Sequence, residues 1–279
     1  MDLNLTASNC VGQNEVDLIM FMGQSNMAGR GTAAQAPAVA AGTAYEFRAI
    51  SDPTQLYPLS EPFGENENNA SGITEPGAKT GSMVSAFVNA YFGVVGRKVV
   101  AVSAAKGGSS ITLWQPGGAY LNDAIARYNT AKNWLTSNGY TIKNKFMVWC
   151  QGETDGDNAM SGANYAIHIN CMIDAMITTG LEKCYIVRIG NHRDNATLYD
   201  SIITVQTELC RTHSNMVLVS TKFAAMATAG LMKDQFHYTQ AGYNAVGADA
   251  GINTAFHIMT KKEPCMYDLV SATMYFSYK

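Results

Sequence analysis

The chain has 279 residues, which suits one large domain and is long enough to bury a substantial core. Only 15% of the residues are charged and the formal net charge is −3, so no basic surface for nucleic acid is expected. No apolar run has the length of a membrane span, and no signal peptide is visible at the N-terminus. We therefore expect neither a nucleic-acid nor a membrane partner, while compartment and oligomeric state stay open.

The first strong element is the apolar run from Val16 to Met22, which is typical of a strand buried on both faces of a parallel sheet. The polar residues 1–15 before it are interpreted as an N-terminal arm or linker. The run ends at Gly23, and Ser25 follows just before a predicted helical turn. Ligands of open α/β sheets bind at this position, where free N–H groups favour an anion. Ser25 is therefore either a nucleophile or simply a helix cap.

Residues 31–80 form a long irregular excursion, in which only residues 46–50 indicate a short strand. Such loops are usually functional or poorly ordered. Beyond it, apolar runs predict strands and 3.6-residue periodicity predicts helices. The predicted strands are 98–104, 145–150, 184–189 and 216–220, and the predicted helices are 82–95, 119–135, 164–178, 196–212 and 239–260. This alternation indicates a parallel sheet with helices on both faces across a domain of residues 16–260, followed by a tail of residues 261–279 with weak strand character.

Polar, glycine-bearing turns follow the first three of these strands and would converge on one edge of the sheet. The turn after residue 104 contains Gly107 and Gly108, and such turns expose backbone N–H groups. Late in the chain, Asp234 and His237 precede the last helix. An early serine with a late Asp-x-x-His pair supplies a nucleophile, a base and an orienting carboxylate.

Four blocks carry a family resemblance: Gly23-Gln-Ser-Asn-Met27, Gly107-Gly-Ser-Ser110, Trp149-Cys-Gln-Gly-Glu-Thr-Asp155 and Asp234-Gln-Phe-His237. Together they resemble the SGNH (GDSL-type) hydrolases, and more closely the branch that holds sialate O-acetylesterases and carbohydrate esterase family 6 (acetylxylan esterase-like) enzymes. The resemblance covers about residues 16 to 250. It implies a three-layer α/β/α, flavodoxin-like domain with a central parallel sheet. It also implies a serine esterase that removes O-acetyl groups from carbohydrate, such as sialic acid, xylan or another polysaccharide, without metal or cofactor.

Each block supplies a predicted role in an acyl-enzyme route. Ser25 is the nucleophile, His237 the base and then the acid, and Asp234 the carboxylate that orients the imidazole. The oxyanion donors are the backbone N–H groups of Ser25 and Gly108, while the resemblance implies the side chain of Gln151 as the third. An ordinary α/β-hydrolase is disfavoured, because Met27 stands where its Gly-x-Ser-x-Gly motif requires glycine.

Further side chains near these blocks are candidates for substrate binding or support. Glu153 is expected to brace the Ser25 loop, through Gln24 or Arg30, rather than to form a glycosidase pair with Asp155. Trp114 either stacks on a sugar or roofs the pocket. The full set is Gln24, Asn26, Arg30, Gly107, Trp114 and Glu153.

Several other motifs are set aside. The remaining histidines have no metal-ligand spacing, and residues 155–158 and 72–80 only approximate a calcium loop and a phosphate loop. The six cysteines are widely spaced without a CxxC motif, so free buried thiols are expected, although one or two disulfides stay open. Two other functions remain: a lipase, thioesterase or arylesterase on the same fold, and a non-catalytic carbohydrate-binding module of a surface or phage assembly.

Overall fold

A computed structural model describes residue 12, residues 14–268 and residues 273–275. Its centre is a seven-stranded sheet in the order β3-β2-β4-β1-β5-β6-β7, in which β3 pairs antiparallel and the other pairs are parallel. The strands are β1 (Glu15–Gly23), β2 (Ala44–Arg48), β3 (Asp52–Pro58), β4 (Lys98–Ala105), β5 (Thr141–Cys150), β6 (Lys183–Val187) and β7 (Met216–Ser220). Within this sheet, the five neighbouring strands β4-β1-β5-β6-β7 follow the flavodoxin-like order, which confirms the predicted fold class.

Helices cover both faces of this sheet. They are α1 (Ser25–Ala28), α2 (Val84–Val95), α3 (Ala119–Ser137), α4 (Glu153–Asp157), α5 (Gly162–Thr178), α6 (Asp200–Thr212) and α7 (Gln240–Thr260). The chain moves from β1 to β4 in one direction and from β4 to β5 in the other. Right-handed crossovers therefore place α2 and α3 on opposite faces. Helices α2 and α7 pack together, as do α5 and α6.

The strand that leads to Ser25 is buried along most of its length, as its apolar sequence predicts. From Val16 to Met22 no side chain is more than 1% exposed, although the run contains the charged residue Asp17. The Asp17 carboxylate accepts hydrogen bonds from Tyr91 Oη at 2.8 Å, Arg97 Nη1 at 2.9 Å and Asn144 Nδ2 at 2.7 Å. These partners offset the cost of burying a charge in the sheet.

The long excursion is tied to the sheet rather than loose. The predicted strand at 46–50 is β2, and it turns back as β3, a largely exposed edge strand that its sequence pattern did not reveal. Arg127 of α3 is fully buried and holds the rest of the excursion. Its guanidinium donates to the carbonyl oxygens of Glu67, Ile73 and Ser103 at 2.9–3.2 Å.

The ends of the domain differ in detail from the sequence prediction. Helix α6 begins at Asp200 instead of residue 196, because residues 191–199 form turns after β6. In the tail, β8 (Met266–Asp268) pairs antiparallel with β9 (Thr273–Tyr275). The predicted arm lies almost wholly outside the described residues. Within the described part, no cysteine forms a disulfide, and Cys171 and Cys265 are exposed rather than buried. No described helix has both the length and the apolar character needed to cross a membrane.

Candidate active site

Three side chains predicted from distant parts of the sequence form one hydrogen-bonded chain. Ser25 Oγ lies 2.9 Å from His237 Nε2, and His237 Nδ1 lies 2.8 Å from Asp234 Oδ2. Ser25 opens α1 directly after β1, whereas Asp234 and His237 lie in the loop before α7. A hydroxyl, an imidazole and a carboxylate that are hydrogen-bonded in this order have the geometry of an activated nucleophile.

The backbone at the end of β1 explains why the block that contains Ser25 begins with glycine. Gly23 has φ 139°, and a Cβ there would collide with the carbonyl oxygen of Cys150 on β5. The Gln24 N–H donates to this same oxygen at 3.0 Å. The close approach of β1 and β5 therefore fixes the turn from which Ser25 projects.

Burial, hydrogen bonds and neighbouring charges shift the pKa values of Asp234 and His237. Partial burial alone would raise the pKa of Asp234, but the N–H groups of Phe236 and His237 donate to its Oδ1 at 3.0 and 2.7 Å. Together with the His237 ring, these bonds hold the pKa of Asp234 below its ordinary value. Burial lowers the pKa of His237 despite the nearby Asp234 carboxylate, and the charges of Arg30 and Lys233 lower it further. The lowered pKa favours the neutral form of the His237 imidazole at pH 7.

In the turn after β4, the N–H groups of the two candidate glycines have different surroundings. The Gly107 N–H donates to Glu75 Oε2 at 3.1 Å and is occupied. Within the described part of the chain, no acceptor bonds the Gly108 N–H, and space around its Cα is open. Gly108 has φ +67°, a left-handed conformation that favours glycine. Of the two glycines, Gly108 is thus the one whose N–H has no acceptor here, and its role as an oxyanion donor stays a prediction.

The predicted third oxyanion donor is occupied by other partners. Gln151 is fully buried, and its Nε2 donates to Ser109 O at 2.9 Å and to the Asp155 carboxylate. An amide nitrogen carries two hydrogens, so none remains for a substrate oxygen. The structure thus corrects the assignment of Gln151: its side chain links the turns after β4 and β5.

Asn26 and Glu153, two of the candidate supporting residues, contact each other directly. Asn26 Nδ2 donates to Glu153 Oε1 at 2.5 Å, so the partner of Glu153 is Asn26 and not the predicted Gln24 or Arg30. Gln24 instead accepts from the Gly152 N–H at 3.1 Å and helps to begin α4. The structure therefore connects Glu153 to the turn of Ser25 through Asn26, a different route from the one expected.

Arg30 binds a residue that the sequence analysis missed. Its guanidinium pairs with Glu75 and donates to Ala78 O at 3.0 Å. Because Glu75 also holds Gly107, one carboxylate of the excursion connects Arg30 to the glycine turn. No periodic pattern marks Glu75, which lies 32 residues from Gly107, so only folding reveals this pair.

Trp114 and Asp155 do not offer surfaces for a sugar. Trp114 is 0% exposed, stacks edge-on against Trp149 at 5.4 Å, and donates from Nε1 to Ser109 Oγ at 3.0 Å. This corrects the sugar-stacking alternative, because neither ring face is open. Asp155 is equally buried and accepts from Ser110 Oγ at 2.6 Å, which excludes a glycosidase role beside Glu153.

The other titratable groups near the blocks lie outside the triad. Burial raises the pKa of the Cys150 thiol well above its ordinary value, as expected for a packing residue at a strand end. His257 Nδ1 is hydrogen-bonded to Tyr185 Oη at 2.9 Å inside the fold. Among the residues that the structure describes, no three His, Cys, Asp or Glu side chains are grouped as metal ligands.

Comparisons with solved structures support the architecture. A protein from Arabidopsis thaliana is 20% identical with a TM-score of 0.64, and the match covers 85% of this chain and 96% of that one. NanS is 13% identical with a TM-score of 0.60, covering 89% and 99%. A carbohydrate acetylesterase from Xanthomonas citri is 15% identical with a TM-score of 0.54, covering 90% and 60%. At these identities the likeness shows the fold alone.

Sequence comparison identifies the family. No curated protein matches the chain. The family model described as "carbohydrate esterase, sialic acid-specific acetylesterase" matches residues 15–252, which include all four sequence blocks. The chain therefore belongs to this carbohydrate esterase family, whose fold is that of the SGNH hydrolases.

Proposed function

We propose that the protein is a serine esterase that removes O-acetyl groups from carbohydrate through an acyl-enzyme intermediate. The observation that carries this proposal is the continuous hydrogen-bonded chain from Ser25 through His237 to Asp234. Family membership supports the acetyl ester and the carbohydrate as substrate features. No metal or cofactor is required in the proposed route.

The first half-reaction transfers the acetyl group to the enzyme. Ser25 Oγ attacks the acetyl carbonyl carbon while His237 Nε2 takes the hydroxyl proton, and Asp234 stabilises the resulting imidazolium. The carbonyl oxygen becomes an oxyanion that accepts from the N–H groups of Ser25 and Gly108. His237 then donates its proton to the sugar oxygen, and the C–O bond of the ester breaks.

The second half-reaction releases acetate. Water attacks the acetyl-Ser25 carbonyl while His237 Nε2 again takes a proton, and the same N–H groups hold the second oxyanion. Collapse of this intermediate returns the proton to Ser25 Oγ. The lowered pKa of His237 supports both steps, because the imidazole begins each one as a neutral base.

Acetate release tests the proposal. Wild type, Ser25→Ala and the exposed control Ser137→Ala are assayed with 4-nitrophenyl acetate and with O-acetylated sialic acid, xylan and bacterial polysaccharides. We expect turnover by wild type and the control and none above background by Ser25→Ala, and the best glycan identifies the substrate. A preference for long acyl esters would support a lipase or thioesterase instead. Glycan binding without turnover of any ester would support a binding module.

A further inference from the structure

Glu153 is a buried carboxylate whose hydrogen bonding is incomplete. It begins α4, is 2% exposed, and accepts from Asn26 Nδ2 at 2.5 Å through Oε1. In the described part of the chain, Oε2 is buried with no hydrogen-bond partner, and no cation forms an ion pair with the carboxylate. Burying a carboxylate in this way is costly, so a purely structural role would be served better by an apolar side chain.

The Asn26 amide links Glu153 to both halves of the triad. Besides Glu153, Asn26 Nδ2 donates to Phe236 O at 3.0 Å, and Asn26 Oδ1 accepts from Tyr243 Oη at 2.7 Å. Both Nδ2 hydrogens and the Oδ1 acceptor are therefore used, which fixes the orientation of the amide. Asn26 directly follows Ser25, and Phe236 directly precedes His237.

We propose that Glu153 is a positioning residue for the hydrolysis: its carboxylate holds the Asn26 amide, which keeps the helix carrying Ser25 in register with the loop carrying His237. This inference rests on the proposed function, because it assigns Glu153 to the same nucleophile and base. Glu153 acts only through Asn26, and none of the reacting atoms contacts it. A charge-assisted bond is shorter and stronger than a neutral one, so ionised Glu153 fixes Asn26 best.

The surroundings of Glu153 make this brace sensitive to pH. Burial raises the pKa of Glu153 to about 7. The bonds from Asn26 and from the backbone N–H of Glu153 itself oppose the rise, and nearby Asp157 and Asp155 add to it. The titratable groups that face it from other elements are the Cys150 thiol and the phenols of Tyr165, Tyr199, Tyr238 and Tyr243. Burial raises the pKa of each of these groups, so all stay neutral near pH 7. Glu153 is thus the group in this cluster that changes charge near neutral pH.

The test compares Glu153→Gln and Glu153→Leu with wild type and the exposed control Glu208→Gln. Each protein is assayed for kcat and KM on 4-nitrophenyl acetate from pH 5 to 9, and for the rate at which a fluorophosphonate labels Ser25. Melting temperatures and circular dichroism report whether each variant is folded. The labelling rate depends on Ser25 and His237 alignment but not on the identity of the natural ester.

Glutamine keeps an acceptor for Asn26 without a titrating proton. We expect Glu153→Gln to keep kcat within about 3-fold of wild type at pH 8. The acid limb of its pH profile of kcat should move from near pH 7 to lower pH, because only the protonation of His237 then determines that limb. Folded Glu153→Leu should lose about 10-fold or more in kcat and labelling rate with KM within about 2-fold, because misplacement of reacting groups impairs mainly the chemical step.

Two results would overturn the inference while leaving the proposed esterase intact. One is that the wild type is active and Glu153→Gln has the same acid limb in its pH profile of kcat. The other is folded Glu153→Leu with the kcat and labelling rate of wild type. If Glu153→Leu does not fold, the shift of the acid limb in Glu153→Gln decides. A wild type that neither hydrolyses acetyl esters nor labels at Ser25 would overturn both proposals.

Discussion

Asn26 Nδ2 lies 3.0 Å from the carbonyl oxygen of Phe236, a hydrogen bond between residues 210 positions apart. One partner is the neighbour of Ser25 and the other is the neighbour of His237. This bond therefore joins the turn that carries Ser25 to the loop that carries His237. The spacing of Ser25 and His237 depends on packing between these backbones as well as on the side chains themselves.

Loss of either proton-transfer partner should abolish activity. We expect Ser25→Ala and His237→Asn each to reduce kcat by about 10⁴-fold or more, and the double variant to be little worse, because the triad acts as a unit. Single-turnover and steady-state assays on 4-nitrophenyl acetate measure this. Additive losses in the double variant would contradict a shared mechanism.

Gln151→Ala should affect stability more than chemistry. The substitution removes the donors to Ser109 O and Asp155 and leaves a buried carboxylate short of one partner. We expect a loss of about 2 kcal/mol in the free energy of unfolding and a change in kcat of less than about 10-fold. Thermal melts and kinetics at one pH separate the two effects. A fall in kcat of about 100-fold or more without a change in melting temperature would restore Gln151 as an oxyanion donor.

Trp114→Phe tests the correction from sugar platform to core residue. Phenylalanine keeps most of the contact with Trp149 but cannot donate to Ser109 Oγ. We expect a loss of about 1–3 kcal/mol in the free energy of unfolding, since a buried acceptor is left unpaired. KM for the best O-acetylated glycan should change by less than about 2-fold. A large increase in KM with unchanged stability would indicate that the ring contacts substrate.

Glu153 should make folding stability depend on pH. Its pKa is about 7 in the folded protein, against an ordinary value of 4.5, so the unfolded chain gives up this proton first as pH rises. The cost of burying the charge is absent below about pH 4.5, grows up to about pH 7 and is complete above it, on the order of 3 kcal/mol. We expect the melting temperature of Glu153→Gln to rise relative to wild type as pH increases from 5 to 8. A difference that does not vary with pH would show that Glu153 has no raised pKa.

The sequence predicted the elements whose signals are local. The apolar run before Gly23 marks β1, and each later strand and long helix was placed within a few residues. The short helix α4 (Glu153–Asp157) was not predicted, and two other stretches were assigned wrongly for opposite reasons. β3 is a largely exposed edge strand that lacks an apolar pattern, and residues 196–199 look helical but are held in turns beside the loop of His237. In both cases tertiary contacts outweigh a weak local preference.

The candidate site likewise has features that the sequence predicts and features that only the tertiary structure decides. By itself the sequence determined the order of the blocks and thereby the fold class, because short motifs at strand ends follow from backbone geometry. It also predicted Ser25, Asp234 and His237 as the candidate triad. Only the tertiary structure decided that Gln151 is occupied, that Trp114 is enclosed, and that Glu153 holds Asn26. A side chain's polar partners depend on which distant segments meet it, and neither residue type nor spacing along the chain determines that meeting.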